Sequence, residues 1–117
     1  MDPANLVMVT ADDPVQAVHT LKNYIVHTHA KDGIQLQPCD PAQVYAGFAS
    51  DSPEGTPVSA LYREVPLGKG AVKWDSYLQA LNEIGYSGYL TIEREVGDDP
   101  TMDIRLAVKF LREKIQQ

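Results

Sequence analysis

Two short apolar runs in this chain each lead to a side chain that can bind a metal ion. Residues 24–30 contain His29 near their end, and residues 89–93 end at Glu93. Both runs are too short and too continuously apolar for amphipathic helices, so they are predicted to be buried parallel strands. Because the carboxyl ends of parallel strands meet at one edge of a sheet, His29 and Glu93 are expected to face a common divalent cation.

Three helices are predicted around these strands from capping residues and apolar periodicity. The first begins after Asp13, an N-cap residue, with Pro14 at the first helical position. The second covers residues 74–84 and is ended by Gly85, and the third starts at Pro100. The resulting order of helix, strand, long loop, helix, strand and helix is typical of the βα repeats of an α/β fold.

The segment 33–73 interrupts this order because it is rich in proline and glycine. We predict a long active-site loop that follows the His29 strand and stands over the site as a lid. Arg63 lies in this segment and is a candidate for binding a phosphate or hydroxyl group of a substrate, although a solvated loop arginine fits the pattern as well. The run at residues 6–10 is compatible with either a loop or a helical turn.

Composition argues against several classes of function and location. The net charge of −6 and the pI near 4.8 argue against nucleic-acid binding, which requires a basic face. A membrane-spanning helix needs about 18 consecutive apolar residues, and the sequence contains no such run. Because the N-terminus lacks a secretory pattern and Cys39 is the single cysteine, a cytoplasmic location is expected.

Four motifs in order resemble the sugar-phosphate isomerase/epimerase family, whose members have a xylose-isomerase-like TIM barrel. Residues 2–6 (Asp-Pro-Ala-Asn-Leu) are similar to the motif at the end of the sixth strand, and residues 27–32 resemble the seventh-strand H-x-H-x-K-D pattern. Residues 65–70 match the V-P-L-G-x-G turn, and residues 86–93 resemble the eighth-strand G-Y-x-G-x-L-x-I-E signature. The resemblance implies an α/β fold, a partial (β/α)8 barrel running from the end of strand 6 through helix 8.

The same resemblance implies a metal site formed by Asp2, His29 and Glu93, with Glu93 also a candidate proton-transfer base. Carboxylates and an imidazole suit manganese, magnesium, zinc or iron. For His29 a simple hydrogen bond at a strand end is the alternative, and for Asp2 a frayed, solvated terminus is equally open. His27 shares the face of His29 but is expected one layer deeper, in a core hydrogen bond.

Three further polar residues are candidates for the substrate site. Asn5 is expected to bind a substrate hydroxyl, with an Asx-type turn as the alternative. Lys31 and Asp32 are expected at the rim of the site, with a salt bridge between loops as the alternative. The implied substrate is a small sugar or sugar phosphate.

The implied activity is isomerisation or epimerisation by proton transfer through a metal-stabilised enediolate. A dehydratase of the inosose type on the same fold, and a non-catalytic barrel remnant that folds by self-association, remain open. A closed barrel takes about 250 residues, whereas these 117 residues supply two clear strands. We therefore expect the chain to be a C-terminal segment that is inactive alone and pairs its open strand edges with copies of itself or with the missing N-terminal part of the barrel.

Overall fold

Helices and strands alternate along the chain in the computed structural model, which describes residues 1–49 and 56–116. A π-helical turn, Leu6–Thr10, joins the first two helices. In chain order the elements are α1 (Pro3–Asn5), α2 (Pro14–Thr20), β1 (Thr28–Ala30), β2 (Asp32–Gln35), α3 (Pro41–Ala49), α4 (Val58–Leu61), β3 (Tyr62–Val65), α5 (Trp74–Glu83), β4 (Leu90–Ile92) and α6 (Pro100–Ile115).

The three helices predicted from the sequence are α2, α5 and α6, and local chemistry sets their ends. The Asp13 side chain accepts a hydrogen bond from the Val15 N–H and caps α2. The Asp99 side chain caps α6 in the same way through the Met102 N–H. Helix α5 ends before Gly85, whose φ of 73° lies in the left-handed region that favours glycine.

Strands β1 and β4 pair in parallel, with His29 opposite Thr91 and Ala30 opposite Ile92. On its other side β1 contacts the first residue of the chain. The Met1 amino group donates to the His27 carbonyl at 2.7 Å, and the His29 N–H donates to the Met1 carbonyl at 3.0 Å. Met1 therefore occupies the place that the end of a neighbouring strand would take in a larger sheet.

The buried strands predicted from the apolar runs are shorter than expected. Tyr24 and Val26 precede β1 and are 79% and 88% exposed, and Tyr89 precedes β4 and is 83% exposed. The prediction is wrong for these positions because a strand forms only where a neighbour supplies a ladder of backbone partners. Beyond the β1–β4 ladder and the contacts with Met1, the described residues supply no neighbouring strand for Tyr24, Val26 or Tyr89.

The segment 33–73 contains regular structure rather than one continuous loop. Strands β2 and β3 pair antiparallel, with Asp32 opposite Val65 and Gln35 opposite Tyr62. Helices α3 and α4 lie between these strands in the chain. The expectation of an irregular loop is corrected here because the two strands satisfy each other's backbone groups. Residues 50–55, which belong to the same segment, lie outside the described residues.

The main apolar core contains β1 together with residues of α2, α5 and α6. Tyr77 is fully buried, and its hydroxyl lies 2.5 Å from Thr28 Oγ1. Trp74 packs edge-on against Tyr77 and Phe110. The buried members of this core are Val18, Ala30, Val72, Trp74, Tyr77, Ala80, Leu81 and Leu111. A smaller cluster, Ala4, Met8, Val9 and Val44, joins the N-terminal turns to α3.

Replacing Tyr77 with phenylalanine is expected to change how stability depends on alkaline pH. Burial raises the pKa of Tyr77 from its ordinary value of 10.0 to about 12, although the hydrogen bond with Thr28 lowers it. The folded state therefore holds this proton more tightly than the unfolded chain does. The protonated Tyr77 hydroxyl therefore makes its full contribution to the free energy of unfolding below about pH 10, and this contribution is lost as the pH rises toward 12.

Urea unfolding of the wild type and of Y77F at about pH 8 and about pH 11.5 measures this contribution. At the lower pH we expect Y77F to lose about 1 kcal/mol with its hydrogen bond. At the higher pH the difference in free energy of unfolding between the wild type and Y77F should shrink. Tyr24→Phe, at an exposed site, is the matched control and should behave as the wild type. An undiminished difference at high pH would contradict the assignment.

Candidate metal centre

Three potential metal ligands from separate parts of the chain converge at the carboxyl end of the β1–β4 pair. His29 Nδ1 lies 3.3 Å from Asp2 Oδ2 and 3.2 Å from Glu93 Oε2. The ligand atoms of the three residues all lie within 4.8 Å of one another. Parallel pairing produces this arrangement, since the Glu93 N–H donates to the Ala30 carbonyl and places Glu93 just beyond β4.

Asp2 is held in place by the helix that follows it. Its Oδ1 accepts hydrogen bonds from the N–H groups of Ala4 and Asn5, at 2.8 and 3.1 Å. This N-cap fixes one carboxylate oxygen, while Oδ2 is directed at His29. The side chain is 13% exposed, so Asp2 is ordered by its contacts rather than frayed.

His27 lies outside the three-residue cluster. Its ring is exposed and stands edge-on to that of His29, with the ring centroids 5.6 Å apart. The expectation of a deeper core position for His27 is wrong because β1 begins only at Thr28. Val26 and His27, directly before that strand, are exposed.

Lys31 lies in the wall of the site, surrounded by carboxylates. Its side chain is 7% exposed, and Nζ lies 2.7 Å from Glu95 Oε2, 3.2 Å from Glu93 Oε2 and 3.5 Å from Glu64 Oε2. Burial alone would lower the pKa of Lys31, but the hydrogen bonds to Glu95 and Glu93 and the charge of Glu64 raise it. The ammonium group therefore stays charged beside the candidate metal ligand.

Asp32 has a structural position, which corrects the expectation that it lines the rim of the site. The residue is fully buried, and its two carboxylate oxygens accept five hydrogen bonds of 2.9–3.2 Å. The donors are the backbone N–H groups of Gly33, Gly68, Gly70 and Val72 and the indole Nε1–H of Trp74.

The V-P-L-G-x-G turn is built around this carboxylate. Gly68 has a φ of 82°, in the left-handed region, and a Cβ at Gly70 would collide with Asp32 Oδ1. Glycine at both positions lets the turn wrap closely enough for its N–H groups to reach Asp32. The motif recognised in the sequence is therefore a carboxylate-binding turn that lies between β3 and the start of α5.

Glu64, which borders the cleft, forms an ion pair with Arg94 that the sequence did not reveal. Glu64 Oε1 accepts hydrogen bonds from Arg94 Nη1 and from the Glu95 N–H, both at 3.0 Å. Arg94 also donates to Asp103 on α6 at 2.8 Å. No local spacing pattern could identify Glu64, since its contacts depend on the β2–β3 pairing.

A cleft of about 780 Å³ opens beside the three-residue cluster. Asn5, Lys31 and Arg63 line it, so the three predicted substrate-binding residues reach one space. Arg63 is exposed and forms no ion pair within the described part of the chain. Apolar side chains complete the walls: Met8, Val9, Val58 and Val96. The volume lies within the range typical of small-molecule sites.

Comparison with known proteins identifies the fold family. The model of the xylose isomerase-like TIM barrel family matches residues 1–114. The chain belongs to this family. Its β1–β4 pair, with the surrounding helices, forms part of such a barrel, and the described residues do not close one. Among the described helices, none has both the length and the apolar character of a membrane span.

A solved member of similar structure is the xylose isomerase domain protein from Planctomyces limnophilus. Its crystal structure superposes with a TM-score of 0.69 at 30% sequence identity, and the match covers 97% of this chain and 36% of that chain. The chain therefore spans about a third of this relative. No curated protein matches the chain.

The donor set fits a divalent cation. Two carboxylates and one imidazole are ligands that manganese, zinc and iron accept, and magnesium accepts the carboxylates. One oxygen of Asp2 is fixed by the N–H groups of Ala4 and Asn5, and the other lies within hydrogen-bonding distance of His29 Nδ1. Three protein ligands beside an open cleft leave room for a water molecule or a substrate oxygen.

Proposed function

We propose that this chain forms the metal-binding part of a sugar or sugar-phosphate isomerase or epimerase. The observation that carries the proposal is the position of His29 Nδ1, within 3.3 Å of carboxylate oxygens of both Asp2 and Glu93. These groups come from three separate parts of the chain and line a cleft of substrate size. Membership of the xylose isomerase-like family supports the same class of chemistry.

A divalent cation held by Asp2, His29 and Glu93 would supply Lewis-acid polarisation of substrate carbonyl and hydroxyl oxygens. Manganese, magnesium, zinc and iron are the candidates. The chain's own contribution to proton transfer is Glu93, whose carboxylate borders the cleft and can take a proton from a carbon next to a carbonyl. Asn5 and Arg63 would bind hydroxyl or phosphate groups of the same substrate.

Association is part of the proposal. The exposed Tyr24, Val26 and Tyr89 precede strands that pair with each other over only three positions. Burying these side chains would require further strands, supplied by other copies of the chain or by an N-terminal part of the barrel.

Deuterium incorporation from heavy water tests the proposed proton transfer. The protein is incubated with Mn²⁺ and with a panel of ketoses and aldoses, phosphorylated and not. It is assayed alone and with a polypeptide carrying the first five strands of the Planctomyces limnophilus barrel. We expect deuterium at the carbon next to the carbonyl, detected by NMR. Exchange should stop on addition of a chelator and return when the metal is restored.

Two outcomes would contradict the proposal. If the protein binds Mn²⁺ and no sugar of the panel either takes up deuterium or is converted into its isomer or epimer, the isomerase and epimerase assignments both fail. If an inosose instead loses water, the same site belongs to a dehydratase. A matched sample of Glu93→Gln, which retains the shape of the side chain, controls for exchange catalysed by the free metal.

A further inference from the structure

We propose that Glu64 is a positioning residue that keeps Glu93 available to the metal by holding Lys31. This inference rests on the proposed metal centre. Glu64 lies on β3, outside the three-residue cluster, and no metal-ligand pattern in the sequence includes it. It nevertheless contacts both the ammonium group of Lys31, which lies beside Glu93, and the backbone N–H of Glu95, which follows Glu93 in the chain.

The contacts of Glu64 are divided between its two oxygens. Oε2 lies 3.5 Å from Lys31 Nζ, which in turn lies 3.2 Å from Glu93 Oε2. Oε1 accepts hydrogen bonds from Arg94 Nη1 and from the Glu95 N–H. Glu64 therefore contacts the segment immediately after Glu93 as well as the ammonium group beside it.

Burial makes Glu64 a persistent counter-charge for Lys31. The side chains of Glu64 and Lys31 are each 7% exposed, whereas that of Glu95 is 62% exposed. Solvent screens the contact with Glu95 far more than the contact with Glu64. Glu93 is the third carboxylate that contacts Lys31, and in the proposed centre it is also a ligand of the metal.

In this arrangement Lys31 and the metal ion compete for the carboxylate of Glu93. If Glu64 lost its charge, the buried ammonium of Lys31 would rely more on Glu93 and would oppose a cation at Glu93 Oε2. With the charge of Glu64 present, Lys31 has a buried counter-charge other than Glu93. Groups that orient metal ligands from outside the first coordination sphere typically change metal affinity by 10–100-fold.

Glu64→Gln tests the inference directly. Glutamine keeps an oxygen that can accept from Arg94 and from the Glu95 N–H, but it lacks the charge that holds Lys31. We expect the dissociation constant for Mn²⁺, measured from the EPR signal of the free ion, to rise by about 10-fold or more. Thermal unfolding of the metal-free variant should show a cooperative transition.

Asp103→Asn is the matched control. It removes the other carboxylate partner of Arg94 and does not contact Lys31. We expect D103N to change the Mn²⁺ dissociation constant by less than about twofold, since outer-shell effects require contact with the ligand set. Equal weakening by E64Q and D103N would assign Glu64 a merely structural role and would overturn the inference.

A double-mutant cycle with Lys31→Met tests whether Glu64 acts through Lys31. In the K31M background the effect of E64Q on Mn²⁺ affinity should fall below about twofold, because the group that Glu64 holds is gone. An undiminished effect would overturn the inference. If wild-type protein binds Mn²⁺ and E64Q binds it equally well, only the inference fails. If the wild type binds no Mn²⁺, the proposed function fails with it.

Discussion

Replacing Asp32 with alanine is expected to remove most of the stability of this fold. The substitution leaves five buried or half-buried donors without their shared acceptor. Each unsatisfied buried donor costs about 1–3 kcal/mol before relaxation and water entry. We expect a loss of at least about 4 kcal/mol, against a typical total stability of about 5–15 kcal/mol. Urea unfolding followed by the fluorescence of Trp74 measures the difference.

Two further variants make this result specific to Asp32. The substitution Asp32→Asn keeps one acceptor oxygen but turns an NH2 group toward N–H donors, so its loss of stability should be smaller than that of D32A. Asp98→Ala removes an exposed carboxylate and should leave stability within about 0.5 kcal/mol of the wild type. A D32A protein that unfolds within about 1 kcal/mol of the wild type would refute the role of this carboxylate.

Removing the imidazole of His29 is expected to abolish stabilisation of the protein by metal. A ligand at about 100 times its dissociation constant stabilises the folded state by about 2.7 kcal/mol. Wild-type protein should therefore melt at a higher temperature in saturating Mn²⁺. His29→Ala removes the one ligand that contacts both Asp2 and Glu93. The affinity of H29A for Mn²⁺ should fall by more than the roughly 10–100-fold that is typical of changes outside the metal's direct ligands.

The other two histidines provide matched controls for this melting experiment. His27 lies beside His29 but outside the cluster, and His19 pairs with Glu83 on a distant surface. His27→Ala and His19→Ala should both retain the full metal-dependent shift. A full shift in H29A, or its loss in H27A with retention in H29A, would mean that a different group binds the ion.

The parts of the fold that depend on local chemistry could be predicted from the sequence. Asp13 and Asp99 cap helices with their own side chains, and Gly85 ends α5 through its own backbone conformation. The positions of His29 and Glu93 at the ends of parallel strands followed from the motif resemblance together with strand geometry. Each of these features depends on residues that lie close together in the chain or within one strand.

The features that the sequence did not reveal depend on contacts between distant segments. From the sequence, Asp32 is interpreted as a polar residue at the rim of the site. In the structure it accepts hydrogen bonds from N–H groups of a turn more than thirty residues away. Glu64 reaches Lys31 only because β2 and β3 pair. Strand length was also overestimated at Tyr24, since an apolar run forms a strand only where another strand pairs with it.

Electron spin-echo spectroscopy of Mn²⁺ added at one equivalent is the measurement that tests the proposed centre most directly. The convergence of Asp2, His29 and Glu93 predicts one bound ion with a single directly coordinated imidazole nitrogen. The nitrogen coupling should vanish in H29A and persist in H27A. Bound Mn²⁺ without a nitrogen ligand, or a coupling that survives in H29A, would contradict the metal centre described here.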